Sequence, residues 1–436
     1  MKLKTYSTYL FLVLALLGSS CKLDVVNPNA ASDQQVLTTG AGIIALSIGI
    51  RQAYSTTGLS NLMVDPCVTA REIKGVATFT NVIELEQGGS NVSTPNASIL
   101  AYWSSMQAIM GMCESVINNA PKVQGLDAGT LAGVMGQAYL FKAMSLTGLG
   151  MAWQEADIYT STTSPVQFVT RDQVFAKAIS LLDSGVSAVT ANPPSVTFNQ
   201  SIAGPDFDLV NSLYAMEARI NLIAGNYPAA LANANLVDLT KTSKFDYSTL
   251  SPNPLYTAYT ITKSFFPRIH FGLPDSLYYP GDQRLGFYFT TPNKVINGDT
   301  VCTMAGFAAS QTTSIPVYTP DEVRLIKAEA ILRTNGDLNQ ALALINAVRT
   351  QTSGDPFGVN AGLSAYAGPV DYPDLLDEVY KQRCAELYLS GLKWEDTRRF
   401  GRPAPPTFNS ESNRIFYPYP QQERVNNPNT PADPTI

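Results

Sequence analysis

TPDEVRLIKAEAILRTNGDLNQALALI, residues 319–345, reads as two helices joined by a tight turn. Thr319 stands at an N-cap position, Pro320 takes the first helical position and Glu322 completes a capping box. Backbone amides that would otherwise lack partners are thereby satisfied, and a helix is predicted to start there. Val323, Ile326 and Ala330 recur on one face of it. Asn335 and Gly336 tolerate a left-handed backbone and end it. Asp337 caps a second helix, with Gln340 at its box position and Leu338, Ala341, Leu342 and Ile345 turned inward, so that 321–333 and 338–350 form an antiparallel hairpin.

The same punctuation stands earlier in the chain, where GNYPAAL (225–231) parallels GDLNQAL (336–342). Both match the inter-helix turn of a tetratricopeptide repeat, in which glycine turns the chain, a short polar residue caps the next helix and a small alanine lets the helices approach. The two copies are not tandem. Between them lies an insertion, about 241–318, rich in loops and aromatic rings and broken by Pro252, Pro254, Pro267, Pro274, Pro280, Pro292 and Pro316. Helical periodicity also marks 33–54, 97–119, 130–150, 171–188, 208–224, 228–239 and 373–391, and strands are few and short. The predicted fold class is mostly α. One domain, 33–436, holds interrupted tetratricopeptide-like hairpins over about 33–240 and 321–391, the insertion, and an extended C-terminal tail over 402–436.

The N-terminus reads differently. Lys2 and Lys4 precede an apolar run from Tyr9 to Leu17, and Gly18, Ser19 and Ser20 lead into Cys21, the anatomy of a lipoprotein signal cut before a lipidated cysteine. Residues 1–20 are therefore expected to be removed, with Cys21 carrying lipid and 21–32, interrupted by Asn27-Pro28-Asn29, acting as a tether. The apolar run falls short of the roughly 20 residues a spanning helix needs, and no later run is expected to reach that length. Losing residues 1–20 removes two lysines and no acids, moving the formal net charge from -6 to -8. A chain so charged lacks the clustered cations that nucleic-acid binding requires. Cys67, Cys113, Cys302 and Cys384 have no zinc-like spacing, and a Cys67–Cys302 disulfide is permitted without being established.

The segment QRCAELYLSGLKWEDTRR, 382–399, resembles the E-R-x-x-E-L-x-x-E-G-x-R-W-x-D-L-x-R signature of the SusD/RagB lipoproteins, with Gln382, Ser390 and Lys393 as departures. Looser matches follow in family order: Trp103, 136–143, Asp282-Gln283-Arg284-Leu285, Tyr417-Pro418-Tyr419-Pro420 and Asn427-Pro428. The resemblance covers essentially the whole mature chain. It implies a SusD-like α superhelix, no catalysis and no cofactor, with capture of oligosaccharides or oligopeptides for a partner TonB-dependent transporter. It further implies an outer-membrane position facing outward, held by the lipid alone. Arg383, Glu386, Gly391, Trp394, Asp396 and Arg399 are then structural signature residues, with Arg383 and Glu386 able to meet across one helical turn.

Catalytic readings fare poorly on the residues. His270 is the only histidine, and no G-x-S-x-G elbow accompanies it. Binding asks for less: sugars present apolar ring faces and hydroxyl rims, which exposed aromatics and a few polar groups can hold. The candidates in the insertion are Tyr256, Tyr259, Phe266, Arg268, Asp275, Tyr278, Tyr279 and Asp282, with Tyr278-Tyr279 preferred and the loop from Arg71 to Phe79 second. No metal ligands are expected. Two rival functions remain, a surface glycoside hydrolase with paired carboxylates and a repeat-type protein adaptor.

Overall fold

Residues 37–161, 163–405 and 410–435 are described in a computed structural model, so the expected signal segment, Cys21 and the expected tether lie outside them. Among the described residues, the α-helices of six residues or more are α1 (Gly40–Ala53), α2 (Leu59–Thr69), α3 (Thr80–Gln87), α4 (Ala97–Asn119), α5 (Ala128–Ala152), α6 (Arg171–Ala191), α7 (Leu209–Ile223), α8 (Tyr227–Leu236), α9 (Pro320–Arg333), α10 (Leu338–Arg349), α11 (Tyr372–Glu386), α12 (Lys393–Arg399) and α13 (Gln421–Asn426). From α4 to α8 each helix packs on the next. Helix α8 then packs on α9, and α9 packs on both α10 and α11. The two hairpins that share the repeat-like turn are therefore stacked directly despite the insertion between them.

The insertion can leave and return at one place because its ends are tied together: β4 (Lys244–Phe245) pairs antiparallel with β8 (Ile315–Pro316). Inside it, β5 (Phe265–Pro267) pairs with β1 (Ile73–Gly75), while β6 (Phe289–Ile296) and β7 (Asp299–Met304) form a hairpin. Asn297 and Gly298 both have positive φ, the turn geometry that suits the twist of such a hairpin. The remaining pair, β2 (Glu155–Asp157) with β3 (Phe168–Thr170), sits between α5 and α6.

Caps set the helix bounds, with one correction to the sequence reading. The Thr319 side chain accepts from the Glu322 amide at 3.0 Å, but the Glu322 carboxylate does not turn back to close the box. It accepts instead from the Arg219 guanidinium at 2.5 and 2.6 Å, tying α9 to α7. A reciprocal box occurs at Thr170 and Gln173, opening α6. Helix α6 is itself long and apolar enough to cross a membrane, contrary to the expectation that no later run reaches that length. It packs between α5 and α7, where Gly136 and Gly185 allow close approach. The expected 373–391 helix stops at Glu386, because Leu389 and Gly391 take positive φ and the chain turns into α12. Helix α2 was not foreseen, since Pro66 lies inside it.

The tail closes the core. Tyr417 and Tyr419 join Tyr102, Trp103, Trp153 and Phe168 in edge-to-face contacts, Trp153 donates to the Pro418 carbonyl at 2.9 Å, and Trp394 donates to the Arg414 carbonyl at 2.7 Å. Cys67, Cys113, Cys302 and Cys384 are buried and free, so no Cys67–Cys302 disulfide forms.

Four buried carboxyl groups, Asp65, Glu72, Asp157 and Glu217, have pKa values pushed up to about 7, chiefly by burial. The folded chain therefore holds protons that the unfolded chain releases near pH 4 (roughly the ordinary carboxylate range). The stability they contribute is whole below that range and is lost as pH rises through about 7. Urea unfolding is expected to show a higher free energy at about pH 5.5 than at about pH 8, by on the order of a few kcal/mol. Equal or lower stability at the acid pH overturns this assignment.

Candidate functional site

Four chain segments distant in sequence converge on an open cleft of about 1030 Å³. They are Arg71, just before β1, the end of α3 with the turn 87–91, the stretch 268–274 with the start of β7, and the tail around Glu411 and Asn413. The strand pairings explain the convergence: Ile73 to Gly75 pair with Phe265 to Pro267, and Arg268 bridges to Val301 of β7. The tail is strapped on from the other side. Gly89 donates to the Asn413 carbonyl at 2.9 Å, the Asn413 side chain donates to the Leu85 carbonyl at 2.7 Å, and Arg414 reaches the Gly89 carbonyl. Gly88 has positive φ, and a Cβ there would strike Asn413, so only glycine permits this strap.

Arg268 and Asp299 line the cleft and belong to a charge network that extends to Lys74 and Glu86 beside it. Arg268 pairs with Glu86 and with Asp299 at 2.5 Å each, and Lys74 pairs with Asp299 and, at 3.7 Å, with Glu86. Glu86 also accepts from the Gly75 amide at 2.8 Å. Burial opposes ionisation of Asp299, but hydrogen bonds from Lys74 and Arg268 prevail and hold its carboxyl below the usual range. At the rim, Gln87, Ser90 and Asn91 are exposed, and their side chains make no hydrogen bond among the described residues. Such groups are free to meet ligand hydroxyls.

Of the eight residues picked from the insertion, Arg268 alone lines this cleft. Tyr278 stacks on His270, centroids 3.7 Å apart, and His270 meets the exposed Asp275 at 3.1 Å, in the same loop that contributes Ile269 to Pro274. Tyr279 goes elsewhere: its hydroxyl donates to Glu378 and its ring lies under Arg349, on the α10–α11 side. Phe266 lies beneath Lys294 at 3.7 Å, and Tyr256 is half-buried behind the Asn253 cap. Two picks are corrected by burial. Tyr259 is 5% exposed in the core, and Asp282 is buried against Arg284 at 2.7 Å, so neither faces a ligand. The second candidate, the loop from Arg71 to Phe79, supplies Arg71 to the lining and Lys74 beside it, whereas sequence reasoning missed Glu86, Gln87 to Asn91, Asp299 and Asn413; the one local hint was the Gly88-Gly89 pair directly after a helix.

The signature residues sit behind the cleft as framework. Arg383 pairs with Asp396 at 2.8 Å, and Glu386 faces Arg284 at 3.5 Å. The one-turn Arg383–Glu386 contact is thus replaced by pairs that cross between elements. Arg399 pairs with Glu329 and Asp396 at 2.8 Å each. Carboxylate oxygens of Asp321, Asp355 and Glu386 come within 4.8 Å of one another in the interior, with Arg324 on Asp321. A second cavity, between the hairpins near Met63 and Met216, is only about 70 Å³, room for a water or two.

No family model matches the chain, and no curated protein matches it. Solved structures do. A SusD superfamily protein from Bacteroides thetaiotaomicron VPI-5482 aligns over 91% of this chain and 100% of its own, with TM-score 0.72 and 16% identity. B. fragilis NanU aligns over 94% and 99%, with TM-score 0.68 and 13% identity. A SusD-like carbohydrate binding protein from Bacteroides vulgatus ATCC 8482 aligns over 83% of both chains, with TM-score 0.65 and 16% identity. Stacked hairpins, a clamped insertion and near-complete alignment together show that this chain has the SusD-like fold.

Proposed function

We propose that the chain is a non-catalytic, carbohydrate-capturing lipoprotein, holding an oligosaccharide in the cleft and passing it to a TonB-dependent outer-membrane transporter. The observation that carries this reading is the open polar cleft, built from insertion and tail on a SusD-like frame. The side chains of Gln87, Ser90 and Asn91 are uncommitted, and the cleft's volume suits a short saccharide. The printed description of the Bacteroides vulgatus relative as carbohydrate binding supports the same class. Asp299, a carboxylate of the cleft, is held below the usual range by hydrogen bonds from Lys74 and Arg268, which favours its ionised form. A glycosidase needs one carboxyl held protonated, so this electrostatic setting favours binding over hydrolysis. Anchoring through Cys21 at the outward face, with 21–32 as tether, completes the proposal.

Calorimetry of the purified mature protein against an oligosaccharide panel is expected to show binding with the sugar recovered unchanged. Asn91→Ala combined with Gln87→Ala should weaken it about tenfold by removing two hydrogen-bonding groups. Turnover abolished by Asp299→Asn would establish the hydrolase instead, and absence of palmitate labelling in cells would remove the anchor.

A further inference from the structure

We propose that the ligand of this cleft is an acidic oligosaccharide and that Arg71 receives its carboxylate. The inference rests on the carbohydrate reading above and names the substrate class. Arg71, Arg268 and Asp299 line the cleft, and Lys74 and Glu86 pair with that lining, so three cations stand against two carboxylates. Lys74 and Arg268 already satisfy the two carboxylates, leaving Arg71 as the surplus cation. Glu411, the other acid lining the cleft, is taken by Arg402 at 2.7 Å and by the Tyr380 hydroxyl.

Arg71 is half-buried, yet it makes no ion pair and no side-chain hydrogen bond among the described residues. Burial and the nearby Arg268 charge both act against its cation, with Glu86 and Asp299 offsetting them only at a distance. A guanidinium in that position is an unfilled fork, and its planar donors match a carboxylate in two parallel hydrogen bonds. The backbone is committed to the position as well. Arg71 is a non-glycine residue at φ 59, its amide donates to the Val68 carbonyl at 3.0 Å, and its own carbonyl abuts Gly272, where a Cβ would collide with it. Strain of this kind persists only where surrounding structure enforces it, and it gathers at ligand sites. Gln87, Ser90 and Asn91 on the facing rim supply neutral groups for the hydroxyls of the same ligand.

The test uses the purified mature chain and matched pairs of oligosaccharides, each uronate- or ulosonate-bearing sugar beside its carboxyl-reduced neutral form. A glutamate-rich peptide of equal charge serves as a third arm. The acidic sugars are expected to bind at least about tenfold tighter than their reduced partners. Arg71→Gln should erase that preference while leaving the unfolding midpoint in place, since no contact of its own is lost, and Arg71→Lys should restore part of it. Equal affinity for acidic and reduced forms, an unaltered preference in Arg71→Gln, or equally tight binding of the peptide overturns the acidic-sugar assignment while the cleft remains a binding site. Failure of every sugar, acidic or neutral, to bind overturns the carbohydrate reading itself.

Discussion

Glu329→Gln is expected to lower the free energy of unfolding by about 3–5 kcal/mol, the cost of leaving buried charge without its partner. Glu329 is 0% exposed and faces three guanidiniums: Arg333 and Arg399 each at 2.8 Å, and Arg383 at 4.0 Å. Burial alone would raise its pKa, but the charges of Arg399, Arg383 and Arg333 outweigh it and hold the carboxyl at about 2. A depressed carboxylate contributes stability above its ordinary range and loses it only as pH falls toward about 2. The glutamine variant should therefore be weak at neutral pH, with Asp396 the remaining anion beside Arg383 and Arg399. Urea unfolding measures the difference. A loss below about 1 kcal/mol, the range of exposed ion pairs, would show that the cluster contributes little.

Gly391→Ala should be comparably severe, for a steric reason. Gly391 sits at φ 80, and a Cβ there would run into the Leu62 carbonyl oxygen. Pro66, four residues on in α2, has no amide hydrogen to donate to that carbonyl. Any side chain at 391 must displace either the α2 backbone or the turn into α12. Gly401 provides the control, being at φ 60 with nothing within 4 Å of a built Cβ. Gly401→Ala is expected to lose only the left-handed penalty, about 1–2 kcal/mol. Gly391→Ala should lose at least about twice that or fail to yield soluble protein. Equal losses at the two positions would remove the steric argument.

The fold was legible where the deciding physics is local. Caps and periodicity placed the helices at 97–119 and 338–350 within a residue of α4 and α10, and the Gly-Asx turns at 225–226 and 336–337 marked hairpins that do stack. Legibility ended where distant segments set the environment. Tyr259, Phe271 and Tyr288 look like loop aromatics in sequence, but Tyr388, beyond the end of α11, meets the rings of Phe271 and Tyr288 in the core, and Tyr259 is buried too. Pro66 lies inside α2, a helix that periodicity did not mark. The cleft was the least readable part. The charged residues in and beside it at 71, 74, 86, 268 and 299 are brought together by a three-residue strand pairing and one longer hairpin, neither of which leaves a periodic trace.

The strap formed by the tail bears on how the molecule comes into being. Tyr417 and Tyr419 lie among rings contributed by α4 and the chain just after α5, and the Tyr417 amide donates to the Ala152 carbonyl at 2.9 Å. Synthesis proceeds from the other end, so a nascent chain emerging from the ribosome has the walls of this aromatic box long before its contents. Closing of this aromatic box therefore waits until residues 417–419 have been made and docked.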